Sequence, residues 1–284
     1  MKGSDERWMR EALRAARRAP AGAAPGTCMM RAVHLHEWLL LSAAGFGAGV
    51  VNAIAGGGSL LSFPALLLTG MGSVAANATN TLAIWPGTLS SVWAYRGLIT
   101  EERHRAWVLA WPSLLGGLGG SVLLLHTPEK AFRAVVPWLI VFACALLAMQ
   151  GPVARLVARA VPNEGGRVPA TLWVAQILIS VYGGYFGAGI GILMLAAMAI
   201  FLPDTLQHAN ALKVLFAMLI NGVAAIYFLA VGAASLPEAG LMAVASLVGG
   251  YAGAHLAQRL RAGVMRALVV GYGLVVALRL FQTG

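Results

Sequence analysis

From Glu37 to Phe281, charged and turn residues cut the chain into ten apolar segments, about 37–55, 58–70, 73–95, 106–126, 131–150, 169–186, 188–203, 207–232, 235–256 and 264–281. A helix needs about 20 apolar residues to cross a hydrocarbon core of ~30 Å at 1.5 Å per residue. Eight of the segments approach or reach that length. Inside lipid every backbone N–H and C=O must be satisfied by the protein itself, which leaves helices or closed barrels. A barrel would alternate apolar and polar residues with period two, and these runs do not. The sequence therefore predicts an all-α, polytopic transmembrane helical protein.

Composition agrees and removes other classes. Hydrophobic residues make up 59% of the 284 and charged residues 11%, with a mean hydropathy of +0.78. Disordered, collagenous and ordinary cytosolic chains are excluded on those figures. The net charge of +10 invites a nucleic-acid reading, but seven of the twenty Lys and Arg stand in the first 31 residues, and most of the rest lie in short loops. That is the basic flank of membrane spans, so no nucleic-acid partner is expected. Cys28 and Cys144 offer neither a disulfide framework nor metal-ligand spacing.

Residues 1–36 read as a basic N-terminal tail with no apolar core for a signal peptide. Nothing in the first 29 can be buried, so they are expected to be disordered or to precede a true start at Met29 or Met30. A transmembrane repeat over 37–150, a basic linker over 151–168 and a second repeat over 169–284 follow.

Segments 58–70 and 188–203 are too short to span. Each follows a glycine-rich break, Gly56-Gly57-Gly58 in one case and Gly183-Gly184 with Gly187, Gly189 and Gly191 in the other. Short apolar stretches in corresponding places of two halves are how discontinuous helices look in sequence. The correspondence has a fixed offset. Adding 133 takes Gly56 to Gly189, Gly58 to Gly191, Leu60 to Leu193, and Ala76-Asn77-Ala78 to Ala209-Asn210-Ala211. It also takes Ser113-Leu114 to Ser246-Leu247, Gly116-Gly117 to Gly249-Gly250, Gly120 to Gly253 and Arg133 to Arg266. With an odd number of crossings per half, the two repeats are expected to be inverted relative to each other, each with a glycine-broken pair of short helices.

Loops 96–105, 151–168 and 257–266 carry nine arginines, whereas those near 127–133 and 232–238 carry only Lys130 and Arg133. The positive-inside rule puts the first set in the cytoplasm and both termini outside.

No enzyme constellation is present: no paired carboxylates at membrane depth, no HExxH, no Gly-x-Ser-x-Gly. The run Gly187-Ala188-Gly189-Ile190-Gly191 is no dinucleotide loop, because no strand precedes it. No cofactor and no metal are expected. What lies at membrane depth is neutral and polar: Asn52, Gly56, Gly57, Gly58, Ser59, Asn77, Thr79, Asn80 and Thr81 in the first half, Tyr185, Gly187, Gly189, Gly191, Asn210 and Asn221 in the second. Uncovered N–H groups at a helix break, with the positive end of the helix dipole, form an anion site. Asn amides beside them bind oxyanion oxygens without adding charge. Gly116, Gly117, Gly249 and Gly250 are assigned instead to close helix packing.

Lys213 is the one charged side chain well inside an apolar span. An ammonium there costs about 2.5–3.5 kcal/mol on insertion scales, which makes it a functional candidate by default. Its repeat mate is Asn80, so one half offers a charge where the other offers an amide. A single cation in a neutral cavity predicts a small anionic cargo. No carboxylate is central, so a buried acid relay is not expected; coupling would run through Lys213, His208 or an interfacial acid, or the anion would follow its own gradient.

Two stretches carry a resemblance. Gly45-Phe46-Gly47-Ala48-Gly49 through Gly56-Gly57-Gly58, with Phe63-Pro64 and Ala76-Asn77-Ala78-Thr79-Asn80, resembles the first motif of the TauE/SafE sulfite exporter family. Tyr182-Gly183-Gly184-Tyr185-Phe186-Gly187-Ala188-Gly189-Ile190-Gly191, followed by Asn210-Ala211-Leu212-Lys213 and Asn221-Gly222, is similar to its second. The second motif departs in lacking an uninterrupted glycine triplet and a counterpart of Pro64. The resemblance covers about 37–281 and implies a multi-pass permease of the bacterial inner membrane for a small sulfur-containing anion such as sulfite or an organosulfonate. The expected partners are that anion and the bilayer, with self-association left open. The rival readings are a cation or metabolite carrier that holds Na⁺ or H⁺ on carbonyls at the broken helices, and a non-catalytic membrane subunit.

Overall fold

The computed structural model describes residues 35–54, 57–159, 168–202, 205–256 and 262–283. The expectations for the N-terminal tail and for Gly56 fall outside the described residues. Among those described there are ten helices and no strand: α1 (Leu35–Ile54), α2 (Ser59–Leu68), α3 (Ser73–Glu101), α4 (Arg103–His126), α5 (Glu129–Arg159), α6 (Ala170–Tyr185), α7 (Ile190–Phe201), α8 (Leu206–Val231), α9 (Leu236–Leu256) and α10 (Ala262–Thr283). They follow the ten apolar segments nearly one for one. Helix α5 continues past residue 150 as far as Arg159, through Pro152, so the described start of the basic stretch is helical.

Among the described residues, four stretches are long and apolar enough to cross a membrane: Arg103–His126, Glu129–Val157, Leu206–Val231 and Gly263–Gln282. α3 is longer than most, but Asn77, Thr79, Asn80, Thr81 and Thr88 dilute its apolar character. The exposed surface is rich in large apolar side chains, among them Trp93, Trp107, Trp111 and Trp138, with Leu123, Leu178, Ile226 and Val244. In water that would be an aggregating surface; in a bilayer it is the lipid-facing side, with tryptophans suited to its interfaces.

Small residues let the helices approach. α1 packs most extensively on α9, and α4 on α6. A Cβ on Gly49 would strike the Ser246 carbonyl, and one on Gly249 the Phe46 carbonyl. On the other side, a Cβ on Gly116 would lie 2.6 Å from the Ile177 carbonyl oxygen, and one on Gly184 would overlap the Gly117 backbone. Packing is thus the role of Gly116 and Gly249, and Gly117 packs against Ile220 and Val223. Gly250 differs from its expected role: a Cβ there would meet only the Gly49 carbonyl at 3.9 Å, so its backbone rather than its missing side chain makes the contact.

Some of the polar groups buried between helices pair across them. Gln176 on α6 donates to Ser113 Oγ on α4 at 2.9 Å, and Ser113 donates to the Leu109 carbonyl at 2.7 Å. The N-terminus of α3 is closed by a carboxylate from α5: Glu129 accepts from the Ser73 and Val74 amides. Removing a helix cap costs about 1 kcal/mol. Glu129→Ala is therefore expected to lower the Tm of the purified protein, with Glu129→Gln falling between it and the parent.

Candidate functional site

Both glycine-rich breaks end in the same place. α1 ends at Ile54 and α2 begins at Ser59, α6 ends at Tyr185 and α7 begins at Ile190, and each short helix packs on its preceding partner. The second break is built by Gly187 and Gly189, with φ of +81° and +80°, a region that side-chain-bearing residues avoid. Tyr182 Oη bridges it by donating to the Ala188 carbonyl at 2.7 Å. Phe63 of α2 meets Phe186 of the break edge-on, ring centroids 5.5 Å apart, which ties the halves together.

Between the breaks lies a cavity of about 200 Å³, walled by α1, α2, α3, α7 and α8 with Gln150 of α5. Several water-sized volumes fit in it, enough for a small polyatomic ion and below the ~300 Å³ at which drug-sized sites begin. Its wall includes Asn52, Gly57, Ser59, Asn80, Thr81, Gly187, Gly189, Gly191, Lys213 and Asn221, which gathers most of the sequence-predicted residues.

Two helices begin at this wall. α2 has Gly58 at its N-cap and α7 has Gly189, and neither N-terminus receives a side-chain hydrogen bond. The first N–H groups of a helix have no intrahelical acceptor and carry the positive end of the dipole. Lys213 adds the one charge in the lining. It stands about 10 Å along α8 from Leu206, at 1.5 Å per residue. Its stem crosses Gly191, where a Cβ would come within 3.0 Å of Lys213 Cδ. Its ammonium donates to Asn210 Oδ1 at 2.8 Å, and no described carboxylate pairs with it. Asn80 accepts from Ser62 Oγ at 2.5 Å on its Oδ1, which leaves its NH₂ for the cavity. Asn221 spends one N–H on the Ala217 carbonyl at 2.7 Å and presents Oδ1 near Gly187.

The other predicted residues stand behind this wall. Gly58 accepts on its carbonyl from the Ser62 backbone amide at 3.1 Å. Asn77 donates to the Tyr185 carbonyl at 2.9 Å, a direct bond between the halves. Thr79 accepts from the Ser235 amide at 2.9 Å. Tyr185 Oη reaches Thr127 Oγ1 at 3.4 Å and its ring stacks edge-on with Phe132. Asn210 holds the Lys213 ammonium.

Sequence reasoning missed Ile84, Thr88, Ser91 and Gln150. Three of them continue the spacing 77, 80, 84, 88, 91 along α3, one face of a helix, which was the available signal. A second cavity of about 480 Å³ between α1, α3 and α9 shares Asn52, Ile84 and Ser91 with the first and extends to Ala94 and Tyr251, toward the arginine-rich ends.

The geometry is that of a small, neutral-walled pocket with one cation and two helix N-termini. The family model for the sulfite exporter TauE/SafE matches residues 41–280. The chain belongs to the TauE/SafE family. A "Probable membrane transporter protein" of Haemophilus influenzae is 29% identical over 241 residues, 81% of this chain and 89% of that protein. The "Probable membrane transporter protein ORF9" of a Sinorhizobium species is 26% identical over 258 residues, covering 88% and 93%. Escherichia coli YfcA, also named a probable membrane transporter, is 30% identical over 95 residues, about a third of each chain. No solved structure matches. The protein is thus a multi-pass membrane transporter of the TauE/SafE type.

Proposed function

We propose that this TauE/SafE protein is a non-enzymatic permease of the bacterial inner membrane that moves a small oxyanion, sulfite or an organosulfonate. The observation that carries the reading is the cavity wall. Lys213 supplies its one charge, the N-termini of α2 and α7 meet it from the two halves, and Asn80 turns a free NH₂ into it. All of these are donors or positive ends, and together they complement a compact acceptor of one or two negative charges.

Opposed orientation of the two halves is part of this reading. Gly58 lies against Ala48 and Ser62 bonds to Asn80, so α1, α2 and α3 alternate in direction. Along α8, His208 meets Glu101 and Glu102 while Gly222 meets Trp85 of α3 and Ile220 meets Gly117 of α4, so α3 and α4 are also opposed and α4 runs against α1. Gly116 faces Ile177 and Gly120 faces Val181, so α6 runs with α4 and against α1. The repeat offset of 133 maps α1 onto α6. A cargo held where opposed repeats meet is released to either side by small movements of one repeat against the other. The second cavity is its path to the basic, cytoplasmic side.

Counterflow of labelled sulfite in proteoliposomes, competed by sulfonates, carboxylates and inorganic cations, tests the cargo class. Competition by sulfur oxyanions is expected. Competition by carboxylates or cations in their place would move the protein to the metabolite or cation carriers.

A further inference from the structure

Asn77 carries a buried acceptor with nothing to accept from. The residue is 1% exposed, its NH₂ donates to the Tyr185 carbonyl, and its Oδ1 is buried without a hydrogen-bond partner. The bond fixes which way the amide points, because a carbonyl can be met only by the NH₂ end. A buried oxygen of this kind is costly unless something donates or coordinates to it.

The other half shows what fills the equivalent place. The offset of 133 takes Asn77 to Asn210 and Asn80 to Lys213. There Asn210 Oδ1 accepts from the Lys213 ammonium, three residues on along the same helix face, at 2.8 Å. In the first half the residue three on is Asn80, which is neutral and whose own oxygen is taken by Ser62. One amide oxygen faces a cation carried on the chain; its mate faces none.

The surroundings of Asn77 suit a positive charge. Tyr185 is the last residue of α6, so its carbonyl belongs to the negative end of that helix dipole. Carbonyls at the ends of discontinuous helices coordinate alkali ions in membrane transporters. The donors present are neutral oxygens, amide and carbonyl, which suit a hard monovalent cation rather than a transition metal. Asn77 is buried, which limits access by water.

We propose that a mobile alkali-metal cation, Na⁺ or K⁺, binds at Asn77 Oδ1 beside the Tyr185 carbonyl, filling in the first half the role of the Lys213 ammonium in the second. Asn77 lies one helical turn from Asn80, and Tyr185 precedes Phe186 and Gly187; all three of those residues line the anion cavity. Cation and cargo therefore order the same two segments and travel together, the cation offsetting the anion's charge. The coupling rests on the permease reading, whereas cation binding does not.

The test uses the full-length protein purified in detergent without cargo, its thermal unfolding followed in NaCl, KCl and choline chloride at constant ionic strength. A saturable rise in Tm with Na⁺ or K⁺ over choline is expected. Asn77→Ala is expected to lose it. Asn80→Lys places an ammonium three residues from Asn77, as in the second half, and is expected to lose the salt response while staying folded in choline. Identical Tm in all three salts for the parent protein would overturn the proposal, as would a full response in Asn80→Lys. Sulfite counterflow in the same salts separates the two readings. Counterflow without a cation-dependent Tm rejects the cation site alone, and a cation-dependent Tm with no anion counterflow rejects the permease reading alone.

Discussion

Lys213→Met is expected to abolish anion transport and to leave the protein folded. Met keeps the length and apolar stem that cross Gly191, so the packing there survives. What disappears is the one charge in the lining, which on the proposed reading attracts an anion that has given up its water. Desolvating an anion is costly unless a charged partner or well-placed donors replace its water, and the remaining neutral donors cannot supply the lost charge. Lys213→Arg retains charge but brings a planar, bulkier head against Asn210, and partial transport is expected. Counterflow reads activity, and retention time on size-exclusion chromatography reads folding. Full transport by Lys213→Met would place the cargo elsewhere.

Gly184→Val is expected to prevent accumulation of folded protein. A Cβ at this position would overlap the Gly117 carbonyl and approach its Cα to 3.0 Å. The opposing atoms are backbone, so no rotamer change relieves the contact. Overpacking in a well-packed core commonly costs about 1–3 kcal/mol, and an added isopropyl group against an immovable backbone exceeds that range. The α4–α6 contact also positions the break at 186–189 that forms the cavity wall. Gly240→Val, where a Cβ meets open space, is the matched control and is expected to accumulate normally. Equal yields from the two variants, measured as monodisperse protein, would show that the close approach is not needed.

The fold was legible because lipid imposes simple rules. Apolar length and charged interruptions marked ten segments, and ten helices follow them among the described residues. Boundaries shifted where a helix outlasts its apolar stretch, as α3 does through Arg96 to Glu101 and α5 through Pro152 to Arg159. α3 meets no glycine or proline over Leu98 to Glu101, whereas α5 carries on through Gly151-Pro152, which ordinarily marks a helix end.

The cavity was legible in its glycines and in Lys213, since a backbone break and a buried charge are conspicuous in an apolar run. Thr88 and Ser91 were not, because single hydroxyls are common in membrane helices and only their spacing with Asn80 and Ile84 distinguishes them. Asn77, Thr79, Tyr185 and Asn210 fall one layer out. The offset of 133 identified Asn77 and Asn210 as equivalent, but not that each would spend its hydrogen-bonding groups on a neighbour: Asn77 on the Tyr185 carbonyl, Asn210 on Lys213. Sequence spacing sets the helix face, and the partner across the interface decides which atoms remain for a ligand.

The most direct measurement is the anomalous scattering of selenium in crystals of the transport-competent protein soaked with selenite, which matches sulfite in shape and charge. A peak between the Gly58–Ser59 and Gly189–Gly191 backbones, within hydrogen-bonding distance of Lys213 Nζ and absent from Lys213→Met, is the result predicted. A peak elsewhere in the parent protein, or one that persists unchanged in Lys213→Met, would contradict the assignment of this cavity as the anion site.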